Sequence, residues 1–81
     1  MNKDEIHKQI VQILSETFDI PAEKVTLDAD LGSDLDIDSI DAVDLMVQMK
    51  QVTGRRLQPE AFKSVRTVSD VVDAIHLQLQ E

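Results

Sequence analysis

Asp36-Ile37-Asp38-Ser39-Ile40-Asp41-Ala42-Val43-Asp44-Leu45 is where the chain changes character. Before it, residues 26–37 show no helical period and read as an ordered loop, with Gly32, Ser33 and several aspartates as turn formers. After it, apolar residues recur at helical spacing as far as Val52, and Thr53-Gly54 supplies a stop. Asp38 is the expected N-cap and Ser39 opens the helix. A serine so placed has two readings. It is part of an ordinary capping segment, because Ser and Asp are the usual N-cap residues. Alternatively, its hydroxyl, near solvent at the positive end of a helix dipole with free backbone N–H groups, suits a phosphodiester.

The flanking segments complete an all-α reading. Asn2 with Glu5 three residues on predicts a capped first helix, carrying Ile6, Ile10, Ile13, Leu14 and Phe18 at helical spacing and ending near Thr17. Pro21 restarts the chain, and Pro21-Ala22-Glu23-Lys24-Val25 predicts a single turn. Leu27, Leu31, Leu35 and Ile37 are expected to pin the loop to the core. A loop of this length in so small a chain is usually functional. Pro59 favours the first turn of a short third helix, Pro59 to Ser64. Thr67 with Asp70 predicts a capping box for a last helix that carries Val68, Val71, Val72, Ile75 and Leu79 inward. The expectation is a small bundle of three main helices plus one short helix, a single domain over residues 1–81, without repeat, linker or low-complexity segment.

The second predicted helix is unusual. Asp41, Asp44, Gln48 and Gln51 share a narrow polar stripe, while Ile40, Ala42, Val43, Leu45, Met46, Val47, Met49 and Val52 cover most of the rest. A helix on the outside of a bundle needs an apolar stripe of roughly 100°. The surplus either lines a cavity, with Met46 and Met49 as adaptable packing, or meets a partner, or belongs to a helix wedged centrally between the others.

Charge narrows the partners. The net charge is −8, with Asp28, Asp30, Asp34, Asp36, Asp38, Asp41 and Asp44 in one stretch and Lys50, Arg55, Arg56, Lys63 and Arg66 after it. Nucleic acid is an unsuitable partner for such a surface; a basic protein surface is a suitable one, drawn in by the acidic stretch. That stretch also reads simply as a solvated face. The absence of cysteine excludes disulfides and a catalytic thiol of the protein's own, which fits a cytoplasmic location. No signal peptide is expected, and no apolar run approaches the roughly 20 residues that span a bilayer.

No catalytic centre is expected from these residues. His7 and His76 lie in the outer helices, far in sequence from Ser39, and Gly32 and Gly54 are isolated, so neither a nucleophilic triad nor a phosphate loop is expected. Asp34-x-Asp36-x-Asp38 has the opening spacing of a calcium loop, but the positions that need Gly and Glu hold Ser39 and Leu45. No dedicated metal site is expected, although divalent ions would relieve the self-repulsion of these carboxylates.

DLDIDSIDAVDL, residues 34–45, resembles the attachment motif of acyl carrier proteins, Asp-Ser followed by Leu or Ile and then Asp. The resemblance continues through Val52 and returns in Thr67-Val68-Ser69-Asp70-Val71-Val72-Asp73-Ala74-Ile75, which looks like the family's last helix. It implies the acyl carrier fold and no active site of the protein's own. It implies 4′-phosphopantetheine attached covalently to Ser39, taken from coenzyme A by a phosphopantetheinyl transferase, with Asp38 helping that transferase recognise the site. It implies docking of basic enzyme surfaces on Asp41 and Asp44, with Ile40, Val43 and Val47 as apolar contacts beside them. The partners it implies are an acyltransferase or an acyl carrier ligase, a ketosynthase, a ketoreductase and a dehydratase, served by a monomer.

Two departures stand out. The run of glutamates that typically ends this helix in fatty-acid-synthesis carriers is here Met49-Lys50-Gln51-Val52, followed by Thr53-Gly54-Arg55-Arg56. Asp36 stands near where a glycine is common. These changes imply dedicated partners in fatty-acid-like or polyketide-like synthesis; Glu60-Ala61-Phe62-Lys63-Ser64-Val65-Arg66-Thr67-Val68 is similar to carriers of specialised pathways such as aryl polyene synthesis. Asp38 and the −8 charge argue against a peptidyl carrier. A non-enzymatic helical adaptor, binding basic partners with Ser39 unmodified, is the alternative from another class; a small hydrolase using Ser39 would need a base the sequence does not offer nearby.

Overall fold

The computed structural model describes residues 2–57, 62 and 64–80. Helix α1, Lys3–Thr17, starts where Asn2 and Glu5 satisfy each other. The Asn2 side chain accepts the Glu5 N–H at 2.8 Å and the Glu5 carboxylate accepts the Asn2 N–H at 3.2 Å. Ile6, Ile10, Ile13 and Leu14 give it one buried face. Asp19, at φ 57°, ends it in the left-handed region, and the Ile20 N–H turns back to the Leu14 carbonyl at 3.1 Å. A single 3-10 turn, Ala22–Lys24, follows Pro21, and the half-buried His7 ring holds the Val25 carbonyl after it, at 2.8 Å.

Helix α2, Ser39–Thr53, and helix α3, Val68–Leu79, both pack on α1. Helix α2 buries Leu45, Met46 and Met49 and stops at Gly54, whose φ of 72° explains the glycine. Helix α3 buries Val68, Val71, Val72 and Ile75, with Leu79 half-buried against the same core. Its capping box is Thr67 with Asp70, as the spacing predicts. The helix expected over Pro59–Ser64 lies, apart from Phe62 and Ser64, outside the described residues.

The loop between the 3-10 turn and α2 is fastened to the start of α3. The first two N–H groups of α3 have no acceptor within the helix. Here the Val68 N–H donates to the Ala29 carbonyl at 3.0 Å and the Ser69 N–H to the Leu27 carbonyl at 2.9 Å. The Leu31 N–H donates to the Arg66 carbonyl at 2.8 Å, around an isolated antiparallel bridge between Asp30 and Thr67. Among the described residues no β-strand forms.

Leu31, Leu35 and Ile37 are buried as expected, but Leu27 is not: it is 46% exposed. A turn closed by the Ala29 N–H on the Thr26 carbonyl sends Ala29 inward in its place. Leu27 still anchors the loop, through its carbonyl and not its side chain.

Candidate functional site

Ser39 is the first residue of α2 and is exposed. The Asp38 carboxylate caps the helix by accepting the Asp41 N–H at 2.9 Å, and no described residue hydrogen-bonds the Ser39 hydroxyl. Asp38 therefore fixes where the helix begins, and with it the direction in which Ser39 projects.

An open groove of about 710 Å³ starts beside Ser39. Asp38, Ser39, Ala42, Val43 and Met46 form its α2 wall, Asp30, Leu31, Gly32 and Ile37 its loop side, and Phe62, Val65 and Arg66 the side that leads into α3. Beneath it, a narrow apolar seam between α2 and α3 is lined by Leu45, Met49, Val71 and Ile75 among others. The seam has only about 10 Å³ free, room for one water at most, so the core under the groove is closed.

The position of α2 decides the question of its surplus apolar surface. The helix is not wedged centrally, because α1 is the element on which both others pack. Ile40, Val43 and Val47 are 77%, 55% and 50% exposed, a stripe at helical spacing on the outer face. Asp44 is exposed beside them, and Asp36 lies just before Asp38 on the exposed approach to the helix. Asp41 is only half exposed and borders a second groove with Phe18, Ile20, Leu35 and Ile37. The structure therefore brings Ser39, Ile40, Val43, Asp44 and Val47 to open surface and leaves Asp41 at its edge.

The aspartates of the loop divide by role, which composition does not reveal. Asp30 accepts the Gly32 and Ser33 N–H groups, both at 2.9 Å, and Asp34 accepts the Asp30 N–H at 2.8 Å. These two carboxylates build the loop; Asp28 and Asp36 are exposed and bond no described residue. The Ser33 N–H and hydroxyl, then the Gly32 N–H and the Arg66 guanidinium, hold the Asp30 carboxyl below its ordinary value. The Arg66 and Thr67 N–H groups do the same for Asp70, with help from the Thr67 hydroxyl and the Arg66 charge. Asp30-Leu31-Gly32-Ser33 carried the signal for the loop hub, an aspartate two residues before a glycine. The groove and the presence of Arg66 in it depend on how the loop meets α3 and had no signal in sequence spacing.

Neither histidine lines the groove, and among the described residues no group of three or more metal-ligating side chains comes together. No helix among them is long and apolar enough to cross a membrane.

Residues 8–75 match a family described as the phosphopantetheine attachment site. Acyl carrier protein 2 of Ralstonia nicotianae is 51% identical over 75 residues, 93% of this chain and 93% of its own length. The acyl carrier protein of Coprothermobacter proteolyticus is 37% identical over 79 residues, covering 98% of this chain and 96% of that one. That of Saccharopolyspora erythraea is 37% identical over 73 residues, covering 90% and 77%. The residues around Ser39 fit a phosphopantetheine group. An exposed serine hydroxyl that bonds no described residue stands at a helix start, and a groove of mixed polar and apolar lining opens next to it.

Proposed function

This chain belongs to the acyl carrier protein family, which uses 4′-phosphopantetheine and consists of carriers and not enzymes, and we propose that Ser39 is its attachment residue. The observation that carries this is the Ser39 hydroxyl itself: exposed, bonded to no described residue, and held by the Asp38 cap at the mouth of a groove. The group supplies a terminal thiol on which acyl groups are held as thioesters. The protein's part is to position the arm and to be recognised. Asp38 orients Ser39 and presents a carboxylate next to it for the phosphopantetheinyl transferase. Tethering raises the effective concentration of cargo at whichever active site the carrier docks.

Docking uses the outer face of α2. Ile40, Val43 and Val47 are exposed apolar contacts, and Asp44, with Asp41 at the edge, provides the charge that basic enzyme surfaces meet. Lys50, Arg55 and Arg56 are exposed toward the other end of the helix, so partners that cover its whole length need an acidic region there. This supports dedicated acyltransferase or ligase, ketosynthase, ketoreductase and dehydratase partners in fatty-acid-like or polyketide-like synthesis, including the aryl polyene type.

The same exposed stripe would serve an adaptor that never uses Ser39. Replacing Ser39 by Ala separates the two, because the residue buries nothing and its loss leaves the Asp38 cap intact. We expect Ser39→Ala to keep the wild-type circular dichroism spectrum and melting temperature and to lose all acyl loading by a cognate ligase. A Ser39→Ala protein that still accepts acyl groups would sink the assignment.

A further inference from the structure

We propose that Arg66 is the counter-charge for the phosphodiester on Ser39 and draws the arm across the groove toward the start of α3. The inference rests on the reading of Ser39 as the attachment residue.

A phosphodiester at Ser39 is an anion added to an acidic neighbourhood: Asp38 precedes it and Asp30 lines the same groove. Among the described residues the groove has one cation, Arg66. Lys50, Arg55 and Arg56 lie at or beyond the far end of a 15-residue helix. At about 1.5 Å per residue Lys50 is about 16 Å from Ser39 and the end of the helix about 20 Å, at or beyond two Debye lengths at physiological salt.

Arg66 is also available. It lines the groove at the loop–α3 junction, and its charge lowers the pKa of both Asp30 and Asp70. Yet no described carboxylate lies within ion-pair distance of it; the described ion pair is Lys3 with Asp73, at 3.0 Å. Asp30 is occupied by the Gly32 and Ser33 N–H groups, and Asp70 by the N–H groups of Arg66 and Thr67. The structural duty of Arg66 is carried by its backbone: its carbonyl accepts the Leu31 N–H and its N–H donates to Asp70. The side chain is exposed and its five donors are suited to phosphate oxygens. With the arm drawn to Arg66, the acyl end passes over Val43, Val65 and Phe62, the apolar part of the groove.

The test uses the whole chain, unloaded and loaded with phosphopantetheine, as wild type, Arg66→Gln and Arg66→Lys. The side-chain N–H resonance of Arg66 is expected to shift on loading of the wild type. The ³¹P resonance of the loaded protein is expected to move in Arg66→Gln and to return part of the way in Arg66→Lys, which keeps the charge without the fork. Moderately high salt should reproduce the Arg66→Gln position in the wild type. Because Gln retains both backbone hydrogen bonds, Arg66→Gln is expected to fold and to load. Normal loading with the same ³¹P position in all three proteins, and an unmoved Arg66 resonance, would overturn the role of Arg66 alone. A wild type that accepts no phosphopantetheine would overturn the assignment of Ser39, and this inference with it.

Discussion

Asp36 links a departure from the family pattern to the backbone. Its φ is 56°, in the left-handed region that glycine adopts without strain. Asp is one of the few other residues that tolerate it, at a cost of about 1 kcal/mol. The position thus keeps its conformation while adding a carboxylate to the approach to Ser39. Asp36→Gly would relieve that cost and some charge repulsion, offset by about 0.5–1 kcal/mol of extra chain entropy in the unfolded state. Urea unfolding should find the variant no less stable than wild type and up to about 1 kcal/mol more so; a clear loss of stability would show that the carboxylate has a structural partner. Sequence reading identified Asp36 as a departure but could not tell that its φ is positive. Ser39 and Asp38 were legible because capping is local chemistry, written within four residues. Arg66 was not, because its place in the groove follows from hydrogen bonds between Leu31 and Arg66, and between Ala29 and Val68, far apart in the chain.

The starts of the three described α-helices and the end of α2 were readable to about one residue for the same local reason: Asn2, Asp38 and Thr67 are all caps, and Gly54 is a left-handed stop. What periodicity could not decide was the use of α2, since a helix that is apolar most of the way round reads alike whether it is central or docks a partner. Burial of Leu45, Met46 and Met49 leaves Ile40, Val43 and Val47 outward. At this scale the prediction concerns Asp44, exposed on that face. Asp44→Lys should slow transfer of the arm by a phosphopantetheinyl transferase, or of acyl groups by a cognate enzyme, mainly through the association step. It should also weaken the dependence of that rate on salt. Its melting temperature should stay near wild type, because no described residue bonds the Asp44 side chain. Unchanged transfer rates across a salt series would remove Asp44 from the docking face.

The whole molecule is held by a core running from Ile6 to Ile75 and by a loop stitched to α3, in a chain of net charge −8. Two of its carboxylates, Asp30 and Asp70, have their pKa lowered from 3.8 by hydrogen bonds made on folding. A carboxyl whose folded pKa lies below the unfolded one stabilises the fold above the unfolded value, and that contribution is lost as pH falls through the folded value. Asp70→Ala should therefore melt below wild type at pH 7, and the gap should narrow once the pH drops below about 4. A gap that stays constant down to pH 2 would mean that the Asp70 charge plays no part in capping α3.

The central claim is that Ser39 carries the arm, and intact mass spectrometry tests it most directly. The chain is incubated with coenzyme A and a broad-specificity phosphopantetheinyl transferase, beside Ser39→Ala. The account predicts a gain of one phosphopantetheinyl group in the wild type and none in the variant. A folded, previously unmodified wild type that gains nothing, or a Ser39→Ala protein that gains the same mass, would contradict it.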